Sequence, residues 1–180
     1  AEFLNHHDFN LIWTNLESVL DVIRSEHFFV PRPEAEVSPQ YKQIIPYVVI
    51  RHDDAYFLLQ RTAKQTESRL HHKLSLGIGG HINPDTPDIL DGLRKELEEE
   101  VHVDSPYELT FVGVLNDDTT DVSRVHLGVV YVLEPAQPSV SIRETEKMTG
   151  SWVPRSELAS KRAAMETWSQ VVYDQFIEAR

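Results

Sequence analysis

The chain of 180 residues contains no cysteine. That absence removes disulfides, thiolate metal ligands and cysteine nucleophiles together. Positive charge is also scarce, with 17 Lys and Arg against 29 Asp and Glu, a net charge of −12 and a pI near 5.1. A surface that tracks nucleic-acid phosphates is therefore not expected. No apolar run approaches the ~20 residues needed to span a bilayer, and the N-terminus has no signal-peptide pattern. These absences lead to the expectation of a soluble cytoplasmic protein with neither membrane nor nucleic-acid partners. The length suits one domain burying roughly 70% of its unfolded-chain surface.

What is present concentrates between Gly79 and Val103. Gly79 and Gly80 open the stretch, prolines mark a loop, and the run Arg94-Lys95-Glu96-Leu97-Glu98-Glu99-Glu100-Val101 reads as helix. Glu96, Glu99 and Glu100 stand at i, i+3 and i+4 and converge on one face, while Glu98 points elsewhere. Leu93, Leu97 and Val101 give the same helix an apolar stripe. Like charges at that spacing cost a few tenths of a kcal/mol per pair. Taken alone, such a run is most often a solvated helix face. A converged carboxylate set also suits hard divalent cations, which take oxygen ligands, and glycine lets backbone approach a ligand or metal closely.

With the glycine pair upstream, the stretch resembles the box of the Nudix hydrolases, Gly-x5-Glu-x7-Arg-Glu-U-x-Glu-Glu-x-Gly-U, with U a bulky aliphatic residue. The match runs from Lys95 to Val103, with Gly80 as the first glycine. Lys95 stands in place of the family arginine and His102 in place of the late glycine, and the loop is one residue longer. The expected loop glutamate falls at Pro87, leaving Asp85, Asp88 and Asp91 as candidate replacements. The segments Lys42–Tyr47 and Gly77–Asn83 look like those of a bacterial branch described only as predicted phosphoesterases.

Along the chain, His6 and His7 are expected at the surface. Leu16, Val19, Leu20 and Ile23 mark an amphipathic helix, which Pro31, Pro33 and Pro39 separate from the rest of the chain. Residues 1–40 thus read as an N-terminal helical extension with a proline-marked connector, serving in packing or in homodimerisation. The main domain covers 41–180. Ile44–Ile50 and Ala55–Gln60 read as a hairpin about an Arg51–Asp54 turn, followed by a polar loop with Lys64, Arg69, His71 and His72. Lys73–Ile82 reads as a strand entering the glycine turn, and further strands are expected at Leu109–Leu115, Val125–Leu133 and Val140–Ile142. Asn116–Asp121 reads as a turn. A short helix from Pro154 and a closing helix through Met165, Trp168, Val172 and Phe176 complete an α/β chain with a mixed sheet between helices.

The resemblance covers roughly residues 44–158 and implies the Nudix α/β/α sandwich. It implies Mg²⁺ or Mn²⁺ held by Glu96, Glu99, Glu100 and the Gly80 carbonyl, with Gly79 and Arg61 on the substrate and Lys95 steadying a box glutamate. Glu146, before the Trp152 strand, is the candidate additional ligand or base, with Glu144 as runner-up. The implied substrate is a small-molecule diphosphate, cleaved by water at phosphorus. The alternative is a ligand-binding sensor with a weakened site. A family-related isomerase chemistry needs the cysteine that is missing here, and mRNA decapping would favour a basic groove.

Overall fold

The computed structural model describes residues 10–62, 73–143, 145, 146 and 148–179. His6 and His7, expected at the surface, the basic loop residues Lys64, Arg69, His71 and His72, and the runner-up base Glu144 fall outside these residues.

Among the described residues ten strands form: β1 (Asn10–Ile12), β2 (Gln43–His52), β3 (Ala55–Arg61), β4 (Leu74–Ser75), β5 (Gly77–Gly79), β6 (Val101–Val103), β7 (Tyr107–Asn116), β8 (His126–Pro135), β9 (Val140–Ile142) and β10 (Met148–Pro154). The helices are α1 (Leu16–Glu26), α2 (Arg32–Ala35), α3 (Ile89–Glu100), α4 (Arg155–Lys161) and α5 (Thr167–Val172). The main sheet runs β1-β7-β8-β2-β3-β10, with β5 paired to β2 and β4 to β3. The β2–β8 pair is parallel and its neighbours are antiparallel, so the sheet is mixed.

Strand periodicity assigns the two faces. On β2, Tyr47 and Val49 join the core beneath α5, with Val171, Val172 and Phe176. Val48 and Ile50 join the opposite core, with Ile89, Leu93 and Leu97 of α3. β8 divides likewise, Val130 and Val132 against Val129, Tyr131 and Leu133. The result is the expected α/β/α sandwich, stabilised by roughly 1.5–3 kcal/mol for each fully buried large apolar side chain.

Several boundaries differ from the sequence reading. α3 ends at Glu100, because Val101–Val103 turn into β6 and pair with Val140–Ile142. Val101 stays buried, but as a strand residue rather than as the last step of a helical stripe. The strand expected over Lys73–Ile82 is split into β4 and β5, which pair with different partners. The closing helix becomes α5 followed by the wider turn Tyr173–Ile177, with Met165 before its start.

The N-terminal segment also adds more than a helix. β1 pairs with β7, Val19 is fully buried beside Val114 and Leu127, and Trp13 lies 5.8 Å from the Phe176 ring. The sequence shows no strand pattern at Asn10–Ile12, since three residues are too few for alternation to register. No helix among the described residues is long and apolar enough to cross a membrane.

Candidate active site

α3 carries the carboxylates, and its position is set at both ends. Asp88 caps the N-terminus, its side chain accepting from Leu90 N at 2.8 Å and Asp91 N at 3.3 Å. Ile89, Gly92, Leu93 and Leu97 are buried toward the sheet. At the other end the Glu100 carbonyl accepts from Arg143 N at 2.9 Å, and the Arg143 side chain donates to the Val101 carbonyl at 3.0 Å. The face so presented holds Glu96 and Glu100 half-buried, while Glu98 and Glu99 are exposed.

The glycine pair meets this face through close approach. No glycine among the described residues has positive φ, so left-handed backbone freedom is not what the pair supplies. A Cβ on Gly80 would fall inside the Glu96 carboxylate. Only a residue without a side chain lets that carboxylate lie against the backbone here. A Cβ on Gly79 would sit 2.8 Å from the Pro46 carbonyl oxygen, so that glycine is required by strand packing instead. The juxtaposition of a peptide group with a half-buried carboxylate, and with a second carboxylate one turn away, is an all-oxygen donor set. It fits a hard divalent cation such as Mg²⁺ or Mn²⁺.

Arg61 closes β3, half-buried, and pairs in register with Met148 at the start of β10. Its neighbour Thr62 donates from Oγ1 to the Glu146 carbonyl at 2.7 Å, which ties the exposed Glu146 to the end of β3. Lys95 makes an ion pair with Asp85, Nζ to Oδ2 at 3.4 Å. Both side chains are well exposed, so the pair contributes little to stability. Asp91 is taken up by Arg94 at 3.1 Å and Asp88 by the helix cap, which gives each of the three loop acids a structural partner.

A second group of polar side chains was not singled out by sequence. Glu36, just past α2, His81, next to Gly80, and His126, opening β8, bring one ligand-type atom each to within 4.8 Å of one another. Their separation along the chain leaves no spacing signature. A cavity of about 570 Å³ lies beside them, lined by His81 together with Phe28, Phe29, Tyr41, Ile44 and Leu127.

A sequence profile of the NUDIX domain matches residues 41–176. The chain belongs to the Nudix family. Protein YmaB of Bacillus subtilis (strain 168) is 37% identical over 172 residues, covering 89% of this chain and 84% of YmaB. Tm1382, solved as a candidate Nudix hydrolase, superposes with a TM-score of 0.82 at 33% identity, covering 96% of this chain and 91% of its own. The NUDIX domain of Shewanella oneidensis NrtR, solved with ADP ribose, has a TM-score of 0.61 at 14% identity over 83% of this chain and 99% of its own. At that identity the likeness is one of fold. The matched residues 41–176 include α3, Gly80 and Glu96.

Proposed function

We propose that the chain hydrolyses a diphosphate linkage in a nucleoside-diphosphate-linked or related small molecule, with Mg²⁺ or Mn²⁺. The observation that carries this reading is the Glu96 carboxylate held against the backbone of Gly80, with Glu100 one turn on. Glu96, Glu99, Glu100 and the Gly80 carbonyl would hold the cation. When bound, it neutralises phosphate charge and lowers the pKa of coordinated water.

The remaining work falls to side chains. Arg61 orients the phosphate by charge-assisted hydrogen bonds. A water oxygen attacks one phosphorus in line, the bridging P–O bond breaks, and the second phosphate departs with its electron pair. Glu146, on the loop anchored by Thr62, accepts the proton of the attacking water. Lys95, paired with Asp85 at the surface, adds only a weak hold on the loop ahead of the helix. Positioning and charge stabilisation supply most of the barrier lowering in such transfers.

The test is a screen of diphosphate compounds, ADP ribose among them, reading phosphate and nucleotide release. Turnover is expected with Mg²⁺ or Mn²⁺ and is lost with chelator. Glu100→Gln should lower kcat by at least ~100-fold, and Glu98→Gln should leave it within about 2-fold. Full turnover in excess chelator overturns the mechanism. Tight binding of a screened compound without turnover would instead assign a ligand-binding domain.

A further inference from the structure

We propose that Glu36, His81 and His126 form a second metal centre, distinct from the carboxylate set on α3, for a divalent transition ion of the zinc type. Imidazole nitrogen with one carboxylate is a donor set that suits Zn²⁺ and its neighbours, whereas Mg²⁺ prefers oxygen alone. The two sites therefore differ in chemistry although His81 follows Gly80 directly in the chain.

The geometry supports the assignment. His81 Nε2 and His126 Nε2 face each other at 3.3 Å. Two nitrogens bound tetrahedrally to zinc, each at ~2.0–2.1 Å, lie about 3.3 Å apart. Glu36 Oε1 is 3.9 Å from His81 Nε2, and a small side-chain rotation brings it into range. His126 is oriented from behind. Its Nδ1 donates to the Val122 carbonyl at 2.6 Å, which fixes the tautomer and leaves a lone pair on Nε2. Metal-binding histidines are typically held in this way. His126 is only 7% exposed, and its Nε2 lies with a ligand atom of each companion within 4.8 Å.

Two contacts have to yield to an ion. The Gln43 side chain lies 3.2 Å from His126 Nε2, and Arg32 Nε donates to Glu36 Oε1 at 3.3 Å. Arg32 is two-thirds exposed, so its hold is weak, and the half-buried Gln43 amide gives up one neutral hydrogen bond. Three protein ligands leave a fourth position open, and His81 also lines the 570 Å³ cavity. A water or an anionic group of a small molecule can reach it there.

Zn²⁺ or Co²⁺ titration in excess Mg²⁺, which occupies the oxygen site, tests the proposal on the full chain. One equivalent of Co²⁺ should bind with the intense visible bands of a four-coordinate centre. His81→Gln and Glu36→Gln should each weaken binding by ~10–100-fold or more and abolish those bands, while Glu100→Gln leaves them unchanged. Without any substitution, Zn²⁺ should shift the imidazole nitrogen resonances of His81 and His126 among the nine histidines. Ion-induced shifts confined to other histidines would overturn the proposal, as would wild-type binding and bands retained in His81→Gln. Failure of wild-type protein to bind one equivalent would do the same. Loss of diphosphate turnover in Glu100→Gln with the Co²⁺ spectrum intact separates this centre from the hydrolytic one.

Discussion

Glycines 79 and 80 are adjacent and chemically identical, yet the structure gives them different duties. A methyl group at residue 80 meets the free end of the flexible Glu96 side chain, which can swing aside. Gly80→Ala should fold with a Tm close to wild type and lose ~10–100-fold in activity as the carboxylate moves. A methyl group at residue 79 meets the Pro46 carbonyl at 2.8 Å, and backbone cannot step back cheaply. Gly79→Ala should therefore cost ~1–3 kcal/mol. Melting curves and kinetics on the two variants separate these effects. Tyr131 illustrates another local consequence. Burial, with the Asp88 carboxylate as a smaller cause, pushes its hydroxyl up to about 12 from an ordinary value near 10. The folded value exceeds the unfolded one, so the contribution is complete below pH 10 and is lost as pH rises from 10 toward 12. Urea unfolding at pH 9 and 11 should show a loss of stability in wild type that Tyr131→Phe reduces. An equal loss in both proteins would exclude Tyr131 as its source.

The helix α3 is the element on which the site depends, and its sequence is poor for an isolated helix. Glutamates crowd its last turn, where the macrodipole is unfavourable to negative charge, and no basic residue stands there. Packing of Ile89, Leu93 and Leu97 and the Asp88 cap offset this. Asp88→Ala should cost ~1 kcal/mol, or about 2–4 °C in Tm for a chain of this size, with kcat nearly unchanged. A fall in kcat beyond 10-fold without a matching loss of stability would make Asp88 the missing loop carboxylate of the box. The helix itself was legible from the spacing of Leu93 and Leu97. Its end was not, since Val101 satisfies both a helical stripe and a strand, and only the partner strand Val140–Ile142 decides between them.

At the scale of the molecule, the N-terminal segment is part of the sandwich's packing. Leu11 and Val19 are buried, and β1 borders β7. Removing residues 1–40 uncovers Val114 and Leu127. The loss of several buried apolar side chains, at ~1.5–3 kcal/mol each, is a large share of a typical total of ~5–15 kcal/mol. The truncated chain should melt at least ~10 °C lower or aggregate. An unchanged melting curve would show the extension to be a separable appendage.

The sequence by itself determined the mixed α/β architecture, the hairpin, the box helix and the family, because period-2 and 3.6-residue patterns and a motif with fixed spacing are local properties. It also excluded cysteine chemistry, because the chain contains no cysteine. Only the tertiary structure decided which glycine admits a carboxylate, since that depends on atoms sixteen residues apart meeting in space. The same holds for Lys95 and Asp85, whose pairing depends on the course of the loop between them. Glu36, His81 and His126 come from three separate elements with no common period. Their meeting is a product of strand order, of the parallel β2–β8 pairing that sets His126 beside Gln43, and of the short proline-started helix α2 that brings Glu36 back toward His81.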